Sequence, residues 1–487
     1  MTVHTRIDRL KFFIGGEWVD PLGADTIDSV EAATGEVIGT ASLGSSTDVE
    51  RAIDAAERAF DDGPWKRMQP TDRAVAMHRF ADELAQRGDD TSRLASRENG
   101  MPIALSQAFN AQAPAALLRQ YADLALAIPE EEVRPSPAGA TLVRREPVGV
   151  VAVITPWNYP QAKALISIAP ALAAGCSVVL KHSPDTALDA YAIGEAALEA
   201  GIPDGVLNIV LADRGEGNTL ITDRRVRKIA FTGSTDSGRR IGAQAGERFA
   251  RMTLELGGKS AAIFLEDADI DAFVGGMANA AFMNNGQTCT GQTRVLAPRS
   301  RYDEVVAALA EWAESQILGD PLDPEVTMGP MANERQLQRV LGYIEVGKAD
   351  GGRLVAGGKR PAHLRRGCFV EPTVFSDIAN EDRIAREEVF GPVVTVIPYD
   401  GDDEAVRLAN DTSYGLAGSV WTADEDRGIA IARRLRTGTV GVNYYANDFN
   451  APFGGVGDSG IGRELGPEGF DSFVELKSIY ASARLIG

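Results

Sequence analysis

Between Val148 and Ala245, short apolar runs alternate with helical patterns, and this rhythm limits what the chain can fold into more than any other feature. Val148–Ile154 precedes a helical pattern at Ala162–Ala174, and Ser177–Lys181 precedes Ala187–Ala200. Val206–Val210 precedes a short helix, and Lys228–Thr232 precedes Asp236–Ala245. Strands joined by helices of this length cross over and run parallel, and near-continuous apolar runs belong to strands covered on both faces. The expected fold class is α/β, with a doubly wound parallel sheet. A second α/β pattern spans about Ser260 to Asn443. It has strands at Ala261–Leu265, Arg294–Ala297, Val393–Pro398 and Thr439–Val442, and helices over 301–317 and 332–349. Upstream, 46–60 reads as an amphipathic helix, with Thr47 and Glu50 at capping-box spacing and Val49, Ile53, Ala56 and Phe60 on one face. A helical region over 71–127 is interrupted near Gly88 and Pro102. Glu132–Glu146 and the tail Phe473–Arg484 read as exposed β-structure with little core, the kind of edge that pairs with another chain.

At 487 residues the chain has room for about three domains. A net charge of −20 leaves no basic excess for displacing counterions from a phosphate backbone, so no nucleic-acid partner is expected. Cys176, Cys289 and Cys368 are odd in number and far apart, so they imply no disulfide framework. His4, His78, His182 and His363 form no HxxxH pattern and the cysteines no CxxC pair, so no metal site is expected. The longest strongly apolar stretch, Val148–Ile154, is too short to span a bilayer, and Met1–Trp18 lacks a signal-peptide core. The sequence predicts a cytoplasmic protein with no membrane partner.

The chemistry concentrates in a few segments. Asn284-Asn285-Gly286-Gln287-Thr288-Cys289 sets a thiol in a small, polar, glycine-containing stretch just after a helical pattern. Such a thiol can ionise to the thiolate that attacks carbon, although a single cysteine is also compatible with a small buried apolar residue. Upstream, Leu254-Glu255-Leu256-Gly257-Gly258-Lys259 places between apolar neighbours a carboxylate able to act as a general base. Thr155-Pro156-Trp157-Asn158-Tyr159-Pro160 follows a strand, at the end where open α/β sheets hold ligands, and the Asn158 amide can donate to an oxyanion or make a turn. Lys181 ends a buried strand, within reach of a ribose hydroxyl or of solvent. Phe231-Thr232-Gly233-Ser234-Thr235 runs from a strand into a helix N-terminus, which can present N–H groups to a pyrophosphate. Glu388-Val389-Phe390 pairs a carboxylate with an aromatic ring, suited to a ribose and a flat base or to a solvated face. Pro452-Phe453-Gly454-Gly455 and Gly462-Arg463-Glu464 have the glycine density of tightly packed backbone.

Together these motifs resemble the aldehyde dehydrogenase superfamily, in its NAD(P)-dependent, hydrolytic, non-acylating form. The resemblance runs from Phe13-Ile14-Gly15-Gly16-Glu17-Trp18 to the tail, and LELGGKS and NNGQTC are its most specific elements. It implies a Rossmann-like cofactor domain (1–124 and 147–256), an α/β catalytic domain (257–452), and a small β oligomerisation element with a C-terminal arm (125–146 and 453–487). It implies oxidation of an aldehyde to a carboxylic acid through a covalent thiohemiacetal and thioester. Cys289 would be the nucleophile, Glu255 the base for the hydrolytic water, and Asn158 with the Cys289 N–H the oxyanion donors. Thr155, Trp157, Lys181, Ser183, Gly233, Ser234, Leu256, Glu388 and Phe390 would hold NAD, with NADP as the other possibility. Tyr159, Lys163, Ile166, Thr288, Thr290, Phe449 and Phe453 would line the substrate pocket, with Asp448 at its mouth. A homotetramer, or else a dimer, is implied.

The sequence departs from the family pattern at several positions. Pro184 stands where relatives often carry a ribose-binding Glu, which leaves NAD against NADP open. Ser167 replaces a common lysine, while Lys163, earlier on that helix, is placed to face an acidic or polar substrate. Gly457 replaces the lysine usual in the glycine-rich loop. The competing readings are a coenzyme A-acylating enzyme, whose relatives generally lack a carboxylate at the Glu255 position, and a non-catalytic member of the fold. A Cys–His hydrolase would need a histidine in a catalytic segment, and only His182 comes near one.

Overall fold

A computed structural model describes residues 6–137 and 139–482. The alternating region folds into an eight-stranded sheet with a parallel centre. Its order is Gly460–Ile461, Arg251–Glu255, Val226–Thr232, Val150–Ile154, Ser177–His182, Leu207–Leu211, Phe12–Ile14, Glu17–Val19. Both edges are antiparallel additions: Leu254 pairs with Ile461 on one side and Ile209 with Phe13 on the other. The central strand shows why its run is unbroken. Val151 and Val153 pack with the helix Pro160–Ala174, whereas Val150, Ala152 and Ile154 pack with the helix Ser46–Asp61. Alternate side chains point to opposite faces and each face is covered, so polar residues have no place in the strand. Each valine or isoleucine in the strand contributes roughly 1.5–3 kcal/mol by leaving water.

Val150–Ile154 has Ser177–His182 on one side and Val226–Thr232 on the other. The chain winds outward through the first neighbour, then returns to the second. This reversal opens a crevice beyond the C-terminal ends of the two strands, where Thr155 and Gly233 lie.

The second α/β pattern forms a seven-stranded sheet: Arg353–Ala356, Thr373–Ser376, Val393–Tyr399, Arg294–Pro298, Ala261–Phe264, Gly418–Trp421, Gly441–Val442. Val474–Ala481, Gly139–Pro147 and Glu131–Ser136 make a separate antiparallel sheet, consistent with the exposed β-structure expected there. Of the expected tail segment, Ala483 and Arg484 lie outside the described residues.

Some local expectations are corrected. The capping box of the helix Ser46–Asp61 is Ser45 with Asp48, not Thr47 with Glu50. The helix starts two residues earlier than that pairing requires, and Asp48 closes onto the Ser45 N–H at 3.0 Å. Thr439–Val442 shortens to Gly441–Val442. The strands Arg251–Glu255, Thr373–Ser376 and Gly418–Trp421 were not expected. Each is short, and the last two carry polar residues that are buried. Among the described residues, no helix is long and apolar enough to cross a membrane and no cluster of His, Cys, Asp and Glu could hold a metal ion.

Candidate active site

The segment before Cys289 is a left-handed turn. Asn284 and Asn285 have φ of 53° and 59°, and Gly286 has φ of 74°. Successive left-handed residues are costly, and here side-chain amides hold them in place. Asn284 donates to the Asn158 carbonyl (2.9 Å), and Asn285 donates to those of Gly100 (2.8 Å) and Pro330 (2.9 Å) while accepting from Gly329 N–H (2.8 Å). Gln287 accepts from Ala332 N–H (2.9 Å). A Cβ on Gly286 would meet the Gly391 backbone at 2.3 Å, so only glycine lets this turn touch the segment that carries Phe390. The polar sequence therefore pins the thiol to several separate loops at once.

Cys289 is partly exposed, into a cavity. Burial pushes its thiol up to about 11; Lys163 opposes this, and Glu388, Glu255 and Glu464 reinforce it. No histidine is among these facing groups. His182 is wholly buried and is drawn down to about 3 by burial, with Thr155, Thr186 and Asp189 around it. A Cys–His pair is not assembled.

Glu255 ends the strand Arg251–Glu255 and is 2 % exposed, with neither carboxylate oxygen hydrogen-bonded. Burial, with Glu464 facing it, raises this carboxyl well above the usual range, against the pull of Lys163 and Arg463. Asn158 is buried and spends one amide N–H on the Gln287 carbonyl (3.0 Å). An amide nitrogen carries two hydrogens, so one remains for a ligand. Among the described residues, none accepts a hydrogen bond from the Cys289 backbone N–H.

At the crevice, Lys181 is nearly buried and its amine falls to about 8 through burial, with Asp213 and Asp185 facing it. Among the described residues, its Nζ donates only to the His182 carbonyl, at 3.4 Å. Ser234 caps the helix Thr235–Glu247, and Ser183 caps a short turn at Pro184, so both side chains are engaged with backbone N–H groups. Gly233 donates to the Glu255 carbonyl (3.0 Å), joining cofactor loop and base. Leu256 is buried and donates its N–H to the Ser459 carbonyl (3.0 Å). Glu388 accepts from Gly258 N–H (3.0 Å), and a Cβ at Gly257 would lie 2.5 Å from its carboxylate. Trp157 and Phe390 meet edge to face at 5.5 Å and 86°. A switch-point crevice with a nearly unpartnered lysine, a half-buried carboxylate and an aromatic wall fits a dinucleotide.

All seven expected pocket residues, Tyr159, Lys163, Ile166, Thr288, Thr290, Phe449 and Phe453, line one cavity around Cys289. Asp448 does not line it; Asn447 does. Tyr159 and Thr288 hydrogen-bond through their hydroxyls. Lys163 lines the cavity with a charged partner of its own. Its Nζ lies 3.5 Å from Glu464 and 5.0 Å from the Phe453 ring centre. Sequence reading missed Glu464, which looked like part of a glycine loop, and Phe109, Leu117, Met283 and Leu465, which sit on ordinary helical or loop patterns. Phe109 comes from a π-helical stretch, Gln107–Gln112, and packs on Tyr159 at 4.9 Å. At Gly457, φ is 60° and a Cβ would approach the Ser413 carbonyl at 2.6 Å, which accounts for glycine there.

Comparison with known proteins gives the family of the chain. The family model described as the aldehyde dehydrogenase family matches residues 18–479. Geranial dehydrogenase of Castellaniella defragrans is 49% identical over 97% of the chain and 99% of its own length. The aldehyde dehydrogenase of Mycobacterium tuberculosis complexed with NAD+ superposes with a TM-score of 0.96 at 44% identity, covering 98% of this chain and 99% of that one. A mutant of aldehyde dehydrogenase C from Pseudomonas syringae, complexed with NAD+ and octanal, gives 0.93 at 38% identity, covering 98% and 97%.

Proposed function

The chain belongs to the aldehyde dehydrogenase family and oxidises an aldehyde to a carboxylic acid with NAD, and from that premise we propose that Cys289, Glu255 and Asn158 carry the reaction. The observation that carries this reading is the pinned Cys289 in an apolar cavity, with the unsolvated Glu255 carboxyl facing it. Cys289 Sγ adds to the aldehyde carbon and the carbonyl electron pair moves to oxygen. That oxyanion takes hydrogen bonds from the free Asn158 amide N–H and the Cys289 N–H. Bound NAD would supply the hydride acceptor, and loss of the hydride from the carbon leaves an acyl thioester on Cys289. Glu255 accepts a proton from water as its oxygen adds to the thioester carbon, and the C–S bond then breaks to release the acid. A base raised above the ordinary carboxylate range is better matched to this proton transfer than an ordinary carboxylate.

Lys181 and Glu388 would hold the two riboses, Ser234 and Gly233 the pyrophosphate, and Trp157 with Phe390 the flat end. NAD is favoured over NADP, because a 2′-phosphate near Lys181 would also meet Asp213 and Asp185. The substrate is an apolar aldehyde of medium chain, terpenoid or aromatic type. Phe109, Leu117, Ile166, Phe449 and Phe453 make the wall, and the Lys163 charge is taken by Glu464. The similarity to a geranial dehydrogenase and to an octanal-bound structure supports the same class. Leu476, Ile479 and Tyr480, exposed on one edge strand, suit a homo-oligomer, a tetramer or a dimer. The division into cofactor, catalytic and oligomerisation units at the boundaries given above belongs to this reading.

The test is reduction of NAD and of NADP with apolar and carboxylated aldehydes, without coenzyme A, by the protein and by Cys289→Ala. Turnover of apolar aldehydes that is lost in Cys289→Ala is expected. Full activity in that variant, or a strict need for coenzyme A, would overturn the proposal.

A further inference from the structure

A thiol in a largely apolar cavity, with several carboxylates acting on it from behind the wall, needs a cation close by if it is to react as a thiolate. Among the groups facing Cys289 are Glu255 at the end of its strand, Glu464 on the glycine loop, Glu388 beyond Gly258, and the phenols Tyr159 and Tyr445. Lys163, on the helix Pro160–Ala174, is the one group in this set that favours a negative sulfur.

The chain spends a good deal of structure to hold that ammonium. Lys163 lines the cavity with Cys289, its Nζ is 3.5 Å from Glu464 Oε2, and it lies 5.0 Å over the Phe453 ring. Glu464 is fixed by two backbone bonds to Phe453, N–H to carbonyl in both directions at 2.7 Å. Its Oε2 has no closer hydrogen-bonding partner. Burial works against the ammonium, but Glu464, Cys289 and Glu255 outweigh it and keep Lys163 above the ordinary lysine range. A buried ion pair is a poor source of stability, so its retention in an apolar cavity calls for another role.

We infer that Lys163, locked in place by Glu464, is the positioning cation that eases ionisation of Cys289 in a site that offers it no histidine. The thiol proton leaves to solvent through the open cavity, and only the S–H bond changes. Glu464 orients the cation but also adds a negative charge facing the sulfur, so the two partners push the thiol in opposite directions. This inference rests on Cys289 being the nucleophile.

The experiment is the pH dependence of Cys289 alkylation by iodoacetamide in the full-length, cofactor-free enzyme, followed on the Cys289 peptide by mass spectrometry. In Lys163→Met the midpoint should rise by about one pH unit, slowing alkylation near pH 7 about tenfold. Lys163→Arg should restore most of the rate, and Glu464→Gln should move the midpoint down. If Lys163→Met fails to fold because it strands the Glu464 carboxylate, Lys163→Met/Glu464→Gln removes both charges and should still titrate above Glu464→Gln. Unchanged midpoints in folded Lys163→Met, or in the double variant against Glu464→Gln, would overturn the role of Lys163. Normal turnover by Cys289→Ala would instead remove the nucleophile on which it rests.

Discussion

Replacing Glu255 with glutamine separates the two halves of the reaction. The carboxyl makes no hydrogen bond and is 2 % exposed, so an amide of the same shape costs no partner and little packing. Cysteine attack and hydride release do not use Glu255, whose charge raises the facing thiol, so their rate should hold or increase. Water activation does use it. Losing a positioned general base costs about 10²–10⁴ in rate, or about 2.7–5.4 kcal/mol at 1.36 kcal/mol per tenfold. Stopped-flow absorbance should therefore show a burst of about one NADH per active site, then a steady state slower by that factor. Wild-type turnover should climb with pH as the raised Glu255 carboxyl ionises, and that limb should vanish in the variant. Stability carries the same sign. A carboxyl raised in the fold stabilises it fully below about 4.5, the ordinary glutamate value, and this contribution is lost as pH rises toward the folded value. Glu255→Gln should thus gain stability relative to the wild type as pH increases from 4.5. Turnover within about threefold of the wild type, or a slow phase with no burst, would refute the assignment of Glu255 to hydrolysis alone.

Gly286→Ala should lose about 2–5 kcal/mol, from a left-handed alanine plus a Cβ 2.3 Å from the Gly391 backbone, with turnover falling as well. A denaturation midpoint and kcat at wild-type values would count against the pinned turn. Phe109→Ala should enlarge the cavity beside Tyr159 and shift kcat/KM toward longer aldehydes, by about tenfold or more for each extra methylene accommodated. An unchanged chain-length profile would place the ring outside the substrate path. Leu476→Glu, 63 % exposed on the edge strand, should reduce the mass seen by light scattering while leaving the fold intact. An unaltered mass would move the subunit contact elsewhere.

The parts of the site legible in the sequence are those encoded by local pattern. Asn284–Cys289 and Leu254–Lys259 each carry their chemistry within a few residues, and the apolar runs around Val150–Ile154 declare a strand buried on both faces. The helix Pro160–Ala174 is likewise local, whereas the placing of Tyr159, Lys163 and Ile166 in the pocket came from the family resemblance. Thr373–Ser376 and Gly418–Trp421 escaped notice because a four-residue strand with buried polar residues has no contrast to read. Phe109 escaped because a π-helical stretch turns a ring off the face that regular helical spacing assigns to it.

By itself, then, the sequence determined the parallel sheet, the crevice at its strand ends, the thiol and the carboxyl, since each follows from residue type and short-range spacing. Tertiary structure alone decided how those groups are charged. Whether Lys163 addresses a substrate or a neighbour depends on Glu464, 3.5 Å away in space and far along the chain. Whether Glu255 holds its proton depends on how completely the packed loops exclude water from it. Periodicity records which face of an element is buried; desolvation and Coulomb interaction depend on what is brought against that face, and only the folded chain sets that.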